Sequence, residues 1–419
     1  MKREEIPALT GLRFFAAFAI VLDHLWPVIM KLNPGVPFAD PFHQLSFLGM
    51  SLFFILSGFI IHYNYSGLIG SAHGLYEFGV ARFSRLYPLF FVLIAYDLIC
   101  GNFFLYESPE LRRPYIDALP YMLTATQSWF YGFLGNHPIA FPYHYAHVAW
   151  SISTEFFLYL TYPALCFLAL RMRGPKRAIW TTVSVGVAAT VVFWWLKSHT
   201  AAIDHLGARI GVVENPNANP GTLFSDWFNY IAPYPRVLEF ATGVALAQLH
   251  AVLRRPAELL ERKVATGLFA LAVIYIAGFV FRNVIFPPNL SVVFGAVGLL
   301  PPIAVLVFCC ARYDISFTRF LSTTSVVTLG EASYSMYLLH IIVIEKSAPT
   351  VFVDATPENI AILIGRVVII LFAVAVLSLG TYRYFEVPAR RWLRKSLTLG
   401  LSVPFDRRGL AQDVAGKVL

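Results

Sequence analysis

The segment Gly11–Leu25 constrains the whole chain, because it is apolar for long enough to enter a bilayer yet carries Arg13, Asp23 and His24. An ionisable side chain at the centre of a membrane helix costs at least about 2.5–3.5 kcal/mol on insertion scales, so such groups face a bundle interior or a wet cavity and mark function. Arg13 and His24 are eleven positions apart. At about 100° per residue, eleven steps return to within about 20° of the start, so guanidinium and imidazole share one helix face about 16 Å apart along the axis. Asp23 points about 100° aside. The competing structural reading has Arg13 snorkelling to a headgroup and His24 as a satisfied interior histidine.

Composition favours a membrane setting for that helix. Mean hydropathy is +0.64, 58% of residues are hydrophobic and 13% are charged, against about 25% charged in soluble domains. The chain reads as an all-α polytopic membrane protein. Apolar runs near 9–30, 45–65, 84–105, 148–170, 178–196, 236–252, 264–281, 289–311, 330–347 and 361–385 predict a bundle of about ten spans at roughly 20 residues each. We expect one transmembrane domain over residues 1–395 and a short tail over 396–419.

Basic residues orient the bundle, since they are retained in cytoplasmic loops. With both termini cytoplasmic, the inner side holds Arg82, Arg85, the Arg171–Arg177 group, the Arg254–Lys263 group, Arg312 and Arg319; the outer side holds fewer, such as Lys31, Arg112, Arg113 and Lys197. The net charge of +8 is therefore a topology signal, and no nucleic-acid partner is expected. Cys100, Cys166, Cys309 and Cys310 all lie in apolar runs and read as small buried hydrophobes.

Within the second span, Gly49, Ser57 and Gly58 suit close helix packing. Arg82 and Arg85 fall at i, i+3 in a short cytoplasmic segment leading into the span expected over 84–105, with Pro88 tolerated near its beginning. Two guanidiniums side by side repel unless an anion sits between them, and a phosphate matches both forks; contact with lipid phosphates is the bland alternative. In the long loop 106–147, His137, His144 and His147 invite a metal reading. No paired carboxylate or cysteine completes a site, so no metal is expected. Glu155, among hydroxyls and aromatics at the outer end of the fourth span, should face the interior. Arg236 and Glu239, at i, i+3, read as an ion pair bracing the bundle. The loop 197–235 carries the turn-rich Asn215–Gly221. His340 lies deep in the ninth span, where one polar partner would make it structural, and Glu386 is expected to pair with arginines at the inner interface.

These segments together resemble the acyltransferase-3 family of integral membrane O-acyltransferases. The likeness rests on Arg13-x10-His24, the Phe53–Phe59 run, Arg82-x-x-Arg85, Trp150-Ser151 through Glu155, Arg236-x-x-Glu239-Phe240, the Ser-Tyr-x-x-Tyr-Leu-x-His segment ending at His340, and Glu386-x-Pro388. Each motif is weak alone; their joint order is specific. The resemblance implies transfer of an acyl group, often acetyl, from acyl-CoA to a hydroxyl, commonly on a sugar of a surface or secreted glycan or glycolipid. It also implies that Arg13 and His24 form the essential first-helix motif and that Arg82 and Arg85 form the second arginine motif. Where many members have two adjacent acidic residues, this chain has Glu155 followed by Phe156, so no role needing the second carboxylate carries over.

The expected arrangement puts the phosphates of acyl-CoA (acetyl-CoA above all) on Arg13, Arg82 and Arg85 near the cytosol, with the thioester near His24 in the outer half of the membrane. His24 would then act as general base, its tautomer fixed by Asp23 or Glu155, or as transient acyl acceptor. A protein so built belongs in the cytoplasmic (inner) membrane of a bacterium, in contact with membrane lipid. A transporter or flippase of a glycan or lipid-linked precursor would also bury charges in spans, but it favours internal repeats, and none is visible between the halves.

Overall fold

The computed structural model describes residues 5–32, 42, 44–101, 109–134, 137–140, 146–212, 223–253, 255–286, 297–351 and 360–399. The expected features at His144, at Asn215–Gly221, at the start of the 289–311 span and in the tail beyond 399 lie outside the described residues.

The chain folds as a helical membrane bundle. Its longer helices are α1 (Pro7–Leu32), α2 (Leu45–Tyr65), α3 (Ala72–Tyr96), α4 (Pro109–Leu123), α5 (Trp150–Ala169), α6 (Pro175–Ser198), α7 (Thr200–Arg209), α8 (Pro233–Val252), α9 (Leu259–Val280), α10 (Leu300–Arg312), α11 (Ser316–Leu321), α12 (Thr324–Glu331), α13 (Ser333–Val351), α14 (Ile360–Thr381) and α15 (Val387–Leu399). Among the described residues the only strands are a two-residue antiparallel pair, Phe133–Leu134 with His137–Pro138.

Among the described residues seven helices are long and apolar enough to cross a membrane, and α12 with α13, bent by 68°, makes an eighth if counted as one span. Two of the ten expected spans fall outside that count. One is 236–252, which becomes α8: it carries buried Arg236 and Glu239, so it is less apolar than a lipid-facing span and its neighbours supply the partners. The other is 289–311, whose described helix α10 has 13 residues, about 20 Å at 1.5 Å per residue and short of a bilayer core.

The third helix requires a correction. It starts at Ala72, where the Ser71 side chain accepts from the Gly74 N–H at 3.0 Å. Arg82, Arg85 and Pro88 are thus well inside a helix, not in a segment preceding one. Exposed His73 and Glu77, paired at 3.4 Å, make its first turns polar and hide them from a search for apolar runs. Pro88 removes one N–H from the helix ladder, the cost usual for an interior proline.

At the centre, α1 packs against α2, α10, α11, α12 and α13, with Ala16 and Ala17 fully buried. The small residues of α2 divide by face. A Cβ at Gly49 would strike α1 at Ile20, and one at Gly58 would strike the Phe240 carbonyl of α8; the reciprocal Gly243 meets the Ile55 carbonyl. This lets α2 and α8 approach backbone to backbone, as small residues do between membrane helices. Ser57 does not serve that packing and turns to a cavity. Cys166, Cys309 and Cys310 are free and buried, while the Cys100 side chain lies outside the described residues.

Candidate active site

Three adjoining cavities run beside α1. The first, about 230 Å³, has Arg13, Arg85, Glu386 and Arg390 in its wall. The second is narrow, about 70 Å³, and is lined by Arg13, Arg82, Arg85, Ser57, Glu155 and Tyr337. The third, about 730 Å³, takes in Asp23, His24, His147, Trp150, Tyr230 and Tyr337. Arg13 and Arg85 are common to the first two, and Met50 and Tyr337 to the last two. The helical spacing of Arg13 and His24 thus spans the series from its cationic section to its widest one.

In the narrow section, helix positions from α1, α3 and α5 converge. The charges acting on Arg13 are the like-charged Arg85 and the carboxylates of Glu155 and Glu386. Arg82 donates from Nη2 to the Tyr65 hydroxyl at 2.7 Å, and its Nε is buried without a partner among the described residues. Glu155 accepts from Ser57 at 3.0 Å and from the Tyr159 hydroxyl. Glu386, expected to pair with arginine, accepts a hydrogen bond from buried Ser335 at 2.8 Å, and Arg85, Arg13 and Arg390 act on it only through their charge.

In the wide section, Nδ1 of His24 lies 2.9 Å from Nε2 of His340, the two rings 5.0 Å apart and tilted by 30°. Nδ1 of His340 is 2.7 Å from the Tyr337 carbonyl. Tyr337 is pinned in turn: its hydroxyl donates to the Val148 carbonyl at 2.5 Å and accepts from Ser151 at 2.8 Å. His147 stands edge-on to His24 at 6.1 Å. Asp23 accepts from Ser46 at 2.6 Å.

Neither carboxylate expected to orient His24 does so. The nitrogen that Asp23 or Glu155 was expected to hold meets His340 instead. Asp23 is turned aside by the helix geometry, and Glu155 lines the narrow section with the arginines. Sequence reasoning missed this partner, 316 positions away. The i, i+3 spacing of Tyr337 and His340 bears on how His340 is held, not on its pairing with His24. Among the described residues no three His, Cys, Asp or Glu side chains converge to hold a metal ion.

A family model described as an acyltransferase domain matches residues 6–383. The chain belongs to this acyltransferase family. Among curated relatives, acyltransferase MdmB of Streptomyces mycarofaciens is 28% identical over 81% of this chain and 79% of its own length. Peptidoglycan O-acetyltransferase OatA of Listeria monocytogenes is 22% identical over 93% of this chain and 56% of its own. O-acetyltransferase OatA of Staphylococcus aureus is 24% identical over 92% and 57%. The acyltransferase chain thus spans little more than half the length of either OatA. No solved structure gives a significant match.

Proposed function

We propose that this acyltransferase moves an acyl group, acetyl in the first instance, from cytoplasmic acyl-CoA to a hydroxyl of a cell-surface or secreted glycan. In this reading it sits in a bacterial cytoplasmic membrane with both termini inside and residues 396–419 as a tail. The observation that carries the reading is the series of adjoining cavities from Arg13, Arg82 and Arg85 to His24.

The donor reading draws on the chemistry of the narrow end. Clustered guanidiniums beside a mouth suit phosphates, which accept paired hydrogen bonds from planar forks. The buried, unpartnered Nε of Arg82 is a donor that an anionic ligand would satisfy. A thin passage of about 70 Å³ suits an extended pantetheine arm better than a folded one. The acceptor reading draws on the wide end, where Trp150, Trp194 and Tyr230 stand beside Asp226 and Asn229; apolar faces with a few placed polar groups are what a sugar needs. The name of the Listeria relative, a peptidoglycan O-acetyltransferase, supports a glycan as acceptor.

In the reaction, Nε2 of His24 takes the proton of the acceptor hydroxyl as its oxygen attacks the thioester carbonyl. The C–O bond forms, the C–S bond breaks, and the departing CoA thiolate recovers the proton from His24. Base assistance of this kind contributes typically about 10²–10⁴-fold. The same nitrogen could accept the acyl group first, so acid-quenched protein from a single turnover distinguishes the routes by whether acetyl remains attached.

Purified protein with radiolabelled acetyl-CoA and muropeptide-containing glycan strands should transfer label, and folded His24→Ala should not. Equal transfer by both removes His24 from the reaction.

A further inference from the structure

His340 is fully buried on α13, directly behind His24, and is absent from the wall of the wide cavity. It therefore cannot meet the acceptor itself. Its contacts nevertheless decide which nitrogen of His24 does.

The logic starts at a carbonyl. The oxygen of Tyr337 can only accept, so Nδ1 of His340, 2.7 Å away, carries a hydrogen. A neutral imidazole has one N–H, which leaves Nε2 of His340 as a lone pair. Nδ1 of His24 lies 2.9 Å from that lone pair and must donate to it. The Ile20 carbonyl, one turn earlier on α1, is a second acceptor acting on the His24 ring, and the remaining nitrogen of His24, Nε2, then holds the lone pair. A doubly protonated His340 would reverse the chain, but it would put a cation in a site with no exposure. The ionisable groups acting on it are His24 and His147, neither of which can supply a negative charge.

We propose that His340 is a positioning residue that holds His24 in its Nδ1–H tautomer, presenting Nε2 as a lone pair to the reacting hydroxyl. The proposal rests on the reading of His24 as the base. When Nε2 takes the acceptor proton, the Nδ1–H of the resulting imidazolium remains hydrogen-bonded to Nε2 of His340. When the thiolate takes the proton back, the pair returns to its first state, so His340 neither gains nor loses an atom. The Ile20 carbonyl gives a bias of its own; His340 adds to it, because the Nε2–H form would set the Nδ1 lone pair of His24 against the Nε2 lone pair of His340. The groups facing the pair are His147 ahead of α5, the Ile20 carbonyl on α1, and the Met336 and Tyr337 carbonyls on α13; Asp23, beside His24 in sequence, accepts from Ser46.

Two substitutions separate positioning from packing. In His340→Asn the side-chain amide lies where Nδ1 lay and can still donate to the Tyr337 carbonyl, but nothing reaches His24. In His340→Gln an oxygen lies where Nε2 lay and can still accept from His24. The readout is labelling of His24 by diethyl pyrocarbonate, which attacks an imidazole lone pair, followed by peptide mass spectrometry of the full-length protein across pH. Exposed His73 is the internal control. We expect His24 labelling to slow by about tenfold or more in His340→Asn, the scale of losing one hydrogen bond to a group that becomes charged. His340→Gln should stay near wild type, and His73 should be unchanged throughout. Acetyl transfer should follow the same order through kcat, with KM for acetyl-CoA unmoved. Equal rates in wild type and His340→Asn overturn the proposal, as does an equal fall in both variants, which is the mark of a packing role. His24→Ala is the separate arm: normal acetyl transfer in that variant removes the base reading and this proposal with it. Loss there together with a wild-type His340→Asn removes the positioning role alone.

Discussion

The guanidinium of Arg82 sits 4.7 Å over the ring of Tyr65 and donates to that ring's hydroxyl at 2.7 Å. One cation is thereby oriented by a neutral hydroxyl, with the Glu155 carboxylate acting on it through charge, while Nε stays available to a ligand. Under the proposed function Arg82 contacts the donor but not the reacting atoms. Arg82→Lys, which keeps charge and loses the planar fork, should raise KM for acetyl-CoA about tenfold, the scale of one lost charge-assisted hydrogen bond, and leave kcat nearly unchanged. Steady-state kinetics at varied acetyl-CoA checks this; a fall in kcat alone would place Arg82 nearer the chemistry.

Backbone contact between α2 and α8 depends on having no Cβ at Gly58 or Gly243. Gly58→Ala should destabilise the bundle by about 1–3 kcal/mol, as overpacking does, read as a lower melting temperature in detergent. Gly186 on α6 has open space where a Cβ would go, so Gly186→Ala should be neutral or gain up to about 1 kcal/mol from helix entropy. Identical shifts in both variants would deny the close approach.

Arg236 and Glu239 form a buried pair at 3.1 Å, and Arg236 also donates twice to the Tyr230 carbonyl, at 3.0 and 2.8 Å. Arg236→Met leaves Glu239 buried and uncompensated, which should cost about 3–5 kcal/mol. The double variant Arg236→Met with Glu239→Leu should recover much of that, because replacing both charges removes the orphan. Thermal melts of the two variants decide it: additive losses would mean that the ions do not act as a pair.

Much of the fold was legible because hydrophobic length is a local property. The spans at α1, α2, α5 and α9 follow from runs of apolar residues, and the shared face of Arg13 and His24 follows from the helical repeat alone. Failures came where tertiary context overrides a run. α3 begins with polar turns that only its Ser71 cap and the packed bundle make helical, and α8 tolerates buried Arg236 and Glu239 because each supplies the other's partner. For the site, the residue types and the cationic section could be read from spacing, but the assignment of partners could not. Asp23 and Glu155 were the carboxylates in view for His24, whereas the contact that exists joins α1 to α13, 316 positions apart. No periodicity encodes such a pairing; it appears only when the helices pack.

The central claim is that one donor molecule reaches from the arginines to His24, and a structure with a non-hydrolysable acetyl-CoA analogue bound tests it most directly. We predict its phosphates on Arg13, Arg82 or Arg85 and its acyl carbonyl in the wide cavity, within reach of an acceptor oxygen hydrogen-bonded to Nε2 of His24. An analogue bound elsewhere, or with its acyl end stopped short of Met50 and Tyr337 and sealed off from His24, would contradict the account.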